Sequence, residues 1–68
     1  MKWIHLKSKV GLGSATVMVP QGIAVWQFKQ MAGLPEENML TVPALAFPLP
    51  DQVLLDKFVS DFDTVYID

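Results

Sequence analysis

The sequence predicts a single α+β domain. Three observations carry this expectation: apolar and polar residues alternate with period two near both ends of the chain, the period shifts to that of a helix over residues 23–33, and no stretch looks like an interdomain linker. With 68 residues and no cysteine, the fold has room for only one small core and no disulfide or thiolate–metal staple. The hydrophobic fraction is 51%. A chain this short has much surface per unit volume, so some large apolar side chains are expected outside, forming a contact surface.

"WIHLKSKV" places Ile4 and Leu6 on one side and Trp3, His5 and Lys7 on the other, which reads as a half-buried strand. "GLGS" follows as a turn in which Gly11 and Gly13 can supply positive φ. "ATVMVP" alternates again and is rich in β-branched residues, completing an N-terminal hairpin. In "IAVWQFKQMAG", Ala24, Val25, Phe28, Met31 and Ala32 recur at helical spacing, and Gly33 and Pro35 mark the stop. A helix of two to three turns does not persist alone in water, so the hairpin must cover its apolar face. Leu40 to Val42 is a candidate third strand. Asp51 is a candidate cap for a helical turn through "QVLLDKFVSDF", whose apolar face is Leu54, Leu55, Phe58, Val59 and Phe62. "TVYID" is a last strand with Val65 and Ile67 opposite Thr64 and Tyr66.

Between the third strand and the helical turn lies "VPALAFPLPDQ". It has no Pro-x-x-Pro spacing and almost no polarity, so it is neither an SH3-type ligand nor a flexible linker. Pro43, Pro48 and Pro50 are expected to blunt an edge segment against stray strand pairing, while Leu45, Phe47 or Leu49 tuck into the core.

This order of elements, β-β-α-β, short helix, β, resembles the ubiquitin-like β-grasp. "FKQMAGLPEENMLTV" is similar to the family's pattern of a Leu-Lys pair in the helix, then Gly-Ile-Pro, then a polar run into an apolar strand, at Phe28 and Lys29, then Gly33 to Pro35, then Asn38 to Val42. Leu54, Val59, Val65 and Ile67 reproduce the intervals of its C-terminal part, and Asp56 falls where an acid is common. The helix is about one turn shorter than the family's, and "PALAF" replaces the glycine usual after the third strand. The resemblance implies a last strand parallel to the first. That arrangement would set Lys2 and Lys7 near Asp63 or Asp68 and account for the charge asymmetry, in which residues 1–34 hold four lysines and no acid while residues 35–68 hold one lysine and seven acids. It also implies a binding module, because the chain stops at Asp68 without the Gly-Gly of conjugated members or the terminal glycine of sulfur carriers. The positions that correspond to ubiquitin's own contact surface are Lys9, Val42, Tyr66 and Asp68, of which only Val42 remains aliphatic.

Chemistry at a catalytic centre is not expected. His5 is the only histidine and sits in mid-strand, and no Gly-x-Ser-x-Gly elbow accompanies Ser8, Ser14 or Ser60. "GLGS" lacks the Gly-Lys-Ser/Thr and following helix of a phosphate loop, and the aspartates of "DFDTVYID" lack the glycine and terminal glutamate of a calcium loop. No cofactor or metal is expected. Nucleic acid is not an expected partner, since the chain has no arginine and a net charge of −2. No membrane span or secretory signal is legible, which leaves the cytoplasm as the expected compartment.

The expected function is therefore non-enzymatic binding of another protein through an exposed strand face that includes Trp3, Val42 and Tyr66, with Trp26, about 200° from Phe28 around the helix, as a further contact residue. Two alternatives stand beside it. One is a small phage or mobile-element inhibitor that occludes a host enzyme with the acidic second half. The other is a homodimer or assembly subunit that buries its apolar surface between copies.

Overall fold

The computed structural model describes residues 1–9, 11 and 13–68. Four strands and one α-helix follow in the order β1 (Lys2–Ser8), β2 (Ser14–Val19), α1 (Val25–Met31), β3 (Leu40–Thr41) and β4 (Thr64–Ile67), with a single 3₁₀ turn at Leu55–Lys57 before the last strand. The sheet order is β2-β1-β4-β3. β1 pairs antiparallel with β2 and parallel with β4, and β3 pairs antiparallel with β4. The chain's two ends thus lie side by side in the middle of one mixed sheet. The Cα radius of gyration, 10.5 Å, is that of one compact α+β domain of this length, for which about 11 Å is typical.

One face of the sheet carries the core. Ile4 and Leu6 from β1, Val19 from β2, Leu40 and Val42, and Val65 from β4 meet Val25 and Phe28 of α1, and Leu49, Leu55 and Val59 close the ends. The helix is short because both its termini are taken up by other structure. Its first amides donate outward, Val25 N–H to the Val53 carbonyl (2.9 Å) and Trp26 N–H to the Asp51 carbonyl (3.1 Å), while Gln27 Oε1 reaches back to Ala24 N–H. At the other end Leu34 N–H bonds the Lys29 carbonyl and Gly33 N–H bonds that of Gln30, a Schellman arrangement that requires the positive φ of Gly33, 72°.

Several expectations change. Asp51 does not cap a helix: its carboxylate accepts from Lys29 Nζ at 2.8 Å, and the residues after it make only the three-residue 3₁₀ turn. Phe62 leaves the core altogether. Positive φ occurs at Gly22, 79°, and at Gly33, 72°. Val10 and Leu12, which fall in or beside the expected "GLGS" turn, lie outside the described residues. Met31 faces solvent, whereas Lys29, expected among the polar positions, is buried, with its ammonium held by Asp51 and the Glu36 carbonyl (3.2 Å). Lys2 does not pair with Asp63 or Asp68. Its ammonium donates to the carbonyls of Asp56 and Val59, and Lys29–Asp51 is the sole ion pair among the described residues. Of the three side chains expected to anchor the proline segment, Leu49 is buried, Leu45 partly so, and Phe47 exposed. That segment returns along the outer edge of β3, where Leu49 N–H bonds the Leu40 carbonyl at 2.9 Å.

Candidate protein-contact face

The side of the sheet away from α1 is built by the same alternation that fills the core. Residues 3, 5 and 7 of β1 must point outward once Ile4 and Leu6 point in. The strand register sets Trp3 beside Met18, His5 between Thr16 and Thr64, and Lys7 between Ser14 and Tyr66, with Thr41 beyond Tyr66. Trp3 is 45% exposed and Tyr66 41% exposed on this face. They are four residues apart in strand register on adjacent strands, about 14 Å from Cα to Cα, so they flank a polar middle of His5, Thr16 and Thr64 rather than touch. His5 Nδ1 and Thr16 Oγ1 share a hydrogen bond of 3.1 Å, which fixes the imidazole across the two strands.

Val42 is not part of this face. It is 2% exposed and belongs to the core. The reason is register: β3 pairs Thr41 with Tyr66 and Leu40 with Ile67, so Thr41 takes the outward position and its neighbour Val42 turns inward with Leu40. Trp26 is exposed to 45%, but it sits on α1, on the opposite side of the molecule. There it borders a shallow groove of about 550 Å³ with Gln30, Leu34, Lys29 and Asp51. The structure brings Trp3 and Tyr66 onto one face and separates Trp26 from them.

A residue expected in the core joins the outer face instead. Phe62 is 64% exposed, and its ring centroid lies 6.1 Å from that of His5 on the outer face. Its φ of 65° is the only positive value among the described non-glycine residues. The turn that holds it is built by the flanking aspartates: Asp61 Oδ1 accepts from Trp3 N–H (3.0 Å), Asp63 Oδ2 from Ser60 N–H (2.8 Å), and Phe62 N–H bonds the Trp3 carbonyl. A left-handed conformation costs an L-residue with a large side chain about 1–2 kcal/mol. Here it lifts an aromatic ring out of the core and sets it against His5 on the outer face, with its backbone bonded to that of Trp3. The signal in the sequence was "SDFD", an aromatic residue between two turn-forming aspartates.

What this face offers is contact area. Trp3, Phe62, Met18 and Tyr66 supply apolar and aromatic area, and Lys7 supplies one exposed charge at the Tyr66 end. Among the described residues no group of three or more His, Cys, Asp or Glu is placed to hold a metal ion, and no helix is long and apolar enough to cross a membrane. No protein-family model matches the chain, and no curated protein matches it significantly.

Proposed function

We propose that this chain is a non-enzymatic, ubiquitin-like β-grasp module that binds another protein through the outer face of its sheet, with Trp3, Phe62 and Tyr66 as the anchors. The observation that carries the reading is three aromatic side chains, 41–64% exposed, displayed on or beside one sheet face while Phe28 and smaller aliphatic residues fill the core. Buried tryptophan and tyrosine anchors dominate interface energetics, and their cost in side-chain entropy is low. The β-grasp assignment rests on the strand order β2-β1-β4-β3, the parallel pairing of first and last strands, and the helix packed against one face.

The occlusion of an enzyme by the acidic half has less support. Asp51 is paired with Lys29, Asp61 and Asp63 are spent on backbone amides, and Asp56 Oδ1 is buried. Four of the seven acids are thus paired, bonded to backbone amides or partly buried, which leaves Glu36, Glu37 and Asp68 as the exposed carboxylates outside these arrangements.

The test is capture from the native host's lysate by wild type, Trp3→Ala, Tyr66→Ala and Trp26→Ala proteins. Loss of the same captured partner with Trp3→Ala and Tyr66→Ala, about tenfold or more in affinity, and its retention with Trp26→Ala are expected. Capture should change little between low and moderate salt, since apolar contact rather than long-range charge supplies the affinity. Retention of every partner by Trp3→Ala and Tyr66→Ala would remove the face from the proposal.

A further inference from the structure

The two edges of the sheet are treated differently. At β3 the proline segment folds back, with Leu49 N–H on the Leu40 carbonyl and Pro43, Pro48 and Pro50 unable to donate. At β2 there is no such cover among the described residues. In β1, His5 N–H bonds the Asp63 carbonyl (2.8 Å) and Lys9 N–H bonds that of Ile67 (2.9 Å), so the odd-numbered residues direct their backbone toward β4 and the even-numbered ones toward β2. The pairs Lys2–Val19, Ile4–Val17 and Leu6–Ala15 are then the hydrogen-bonded ones. Ser14, Thr16 and Met18 consequently turn their N–H and C=O groups to the open edge.

This edge has none of the usual protections. From Ser14 to Val19 it carries no charge and no proline, and three of its six residues are β-branched. The inward positions at its hairpin end are also uncovered: Ala15 is exposed and lines a shallow apolar recess with Leu6 and Ile67.

We propose that the β2 edge pairs antiparallel with β2 of a second copy, about a two-fold axis through Thr16, to give one continuous eight-stranded sheet. The edge is self-complementary in that register. Thr16 faces Thr16 of the other copy and Ser14 faces Met18, three pairs that each exchange two backbone bonds. On the core side, exposed Ala15 meets the larger, half-buried Val17, so a small residue sits opposite a large one. An uncharged strand meets no like-charge repulsion from its own copy. Because the β3 edge is occupied, pairing closes at two copies and does not propagate into a filament.

The strand is about 20 Å long, so the contact falls short of the roughly 1,200 Å² of a stable interface, and the dimer is weak and concentration-dependent. It joins the two outer faces edge to edge, but it does not depend on what those faces bind.

Sedimentation velocity and amide hydrogen exchange from about 10 μM to about 1 mM test it. The expected result is a mass rising from 7.6 kDa toward twice that value, with the Thr16 and Met18 amides exchanging several-fold more slowly at the high concentration. Thr16→Lys places two like charges at the axis on an exposed position and should weaken the dimer at least about tenfold. Trp3→Ala, which leaves the edge intact, should dimerise as wild type does. The inference is overturned by a monomer throughout, by a dimer whose Thr16 and Met18 amides exchange at the monomer rate, by unchanged dimerisation of Thr16→Lys, or by loss of the dimer in Trp3→Ala.

Discussion

Replacing Phe62 by glycine distinguishes an exposed contact residue from a core residue by stability alone, before any partner is known. At 64% exposure Phe62 hides about a third of its side chain, so its removal forfeits about 0.5–1 kcal/mol of the ~1.5–3 kcal/mol that a fully buried phenylalanine contributes. Glycine adds ~0.4–1 kcal/mol of cost through the greater freedom of the unfolded chain. Against these stands relief of the left-handed strain at φ 65°, about 1–2 kcal/mol. The terms nearly cancel, and Phe62→Gly should change stability by no more than about 1 kcal/mol, or roughly 4–8 °C in Tm for a domain of this size. Phe62→Ala keeps the strain and loses the contact, so it should be no more stable than Phe62→Gly. Phe28→Ala is the buried counterpart: it empties a fully buried site between helix and sheet and should cost about 3–5 kcal/mol, comparable with the whole stability of so small a domain. Urea and thermal unfolding followed by circular dichroism would read all three. A loss for Phe62→Gly that approaches the loss for Phe28→Ala would refute the exposed, strained placement.

Two other perturbations probe what fixes the helix that backs the sheet. Lys29→Ala removes three stem methylenes from a buried site, each worth about 0.8 kcal/mol, whereas Lys29→Met keeps an apolar stem of similar length and should stay within about 1 kcal/mol of wild type. Asp51→Asn should also cost about 1 kcal/mol or less, because the carboxylate is 42% exposed and water screens the pair. Urea unfolding that put Asp51→Asn level with Lys29→Ala would show that the charge rather than the stem carries the contribution. Gly33→Ala should cost about 1 kcal/mol from backbone strain at φ 72° alone, since a Cβ there meets nothing within 4 Å, and an unchanged Tm would contradict the Schellman cap.

What the sequence disclosed and what it hid follow from one physical distinction. Strands with one buried face advertise themselves, because each second residue must be apolar: Ile4 and Leu6, and Val65, were legible as inward residues, and Trp3 and Tyr66 as outward ones. The helix was legible for the same reason at period 3.6, with Phe28 at its centre. Periodicity says nothing about where a pattern is interrupted by hydrogen bonds from distant segments. The apolar spacing of Leu54, Leu55, Phe58 and Phe62 suits a helix, yet the chain turns once and then bends, because Asp61 reaches Trp3 N–H fifty-eight residues away in sequence. Val42 failed at the level of register. Its strand was found, but one residue decides which face it joins, and that is set by the partner Tyr66 rather than by the strand itself. Lys29 failed because charge was read as exposure, while a long stem can be buried with only its ammonium partnered.

That some large apolar side chains lie outside follows from the size of the domain, but which ones and where does not. The accessible surface of 4,278 Å² matches the roughly 4,300 Å² expected of a folded chain of 7.6 kDa, so the domain is packed as tightly as its size allows and its apolar surplus has to lie outside. Scattered over the surface, that surplus would carry no meaning. Met31, on α1, and Phe47, in the proline segment, lie off the strands of the outer face in this way. Trp3 and Phe62 are different: a left-handed backbone, two capping aspartates and the end of β1 are all arranged so that the Phe62 ring stands against His5 on the face that carries Trp3. Strain of this kind persists only where the surrounding structure over-determines it, and a glycine at position 62 would remove it without disturbing the core. That makes Phe62, more than either tryptophan, the residue whose loss should separate binding from folding.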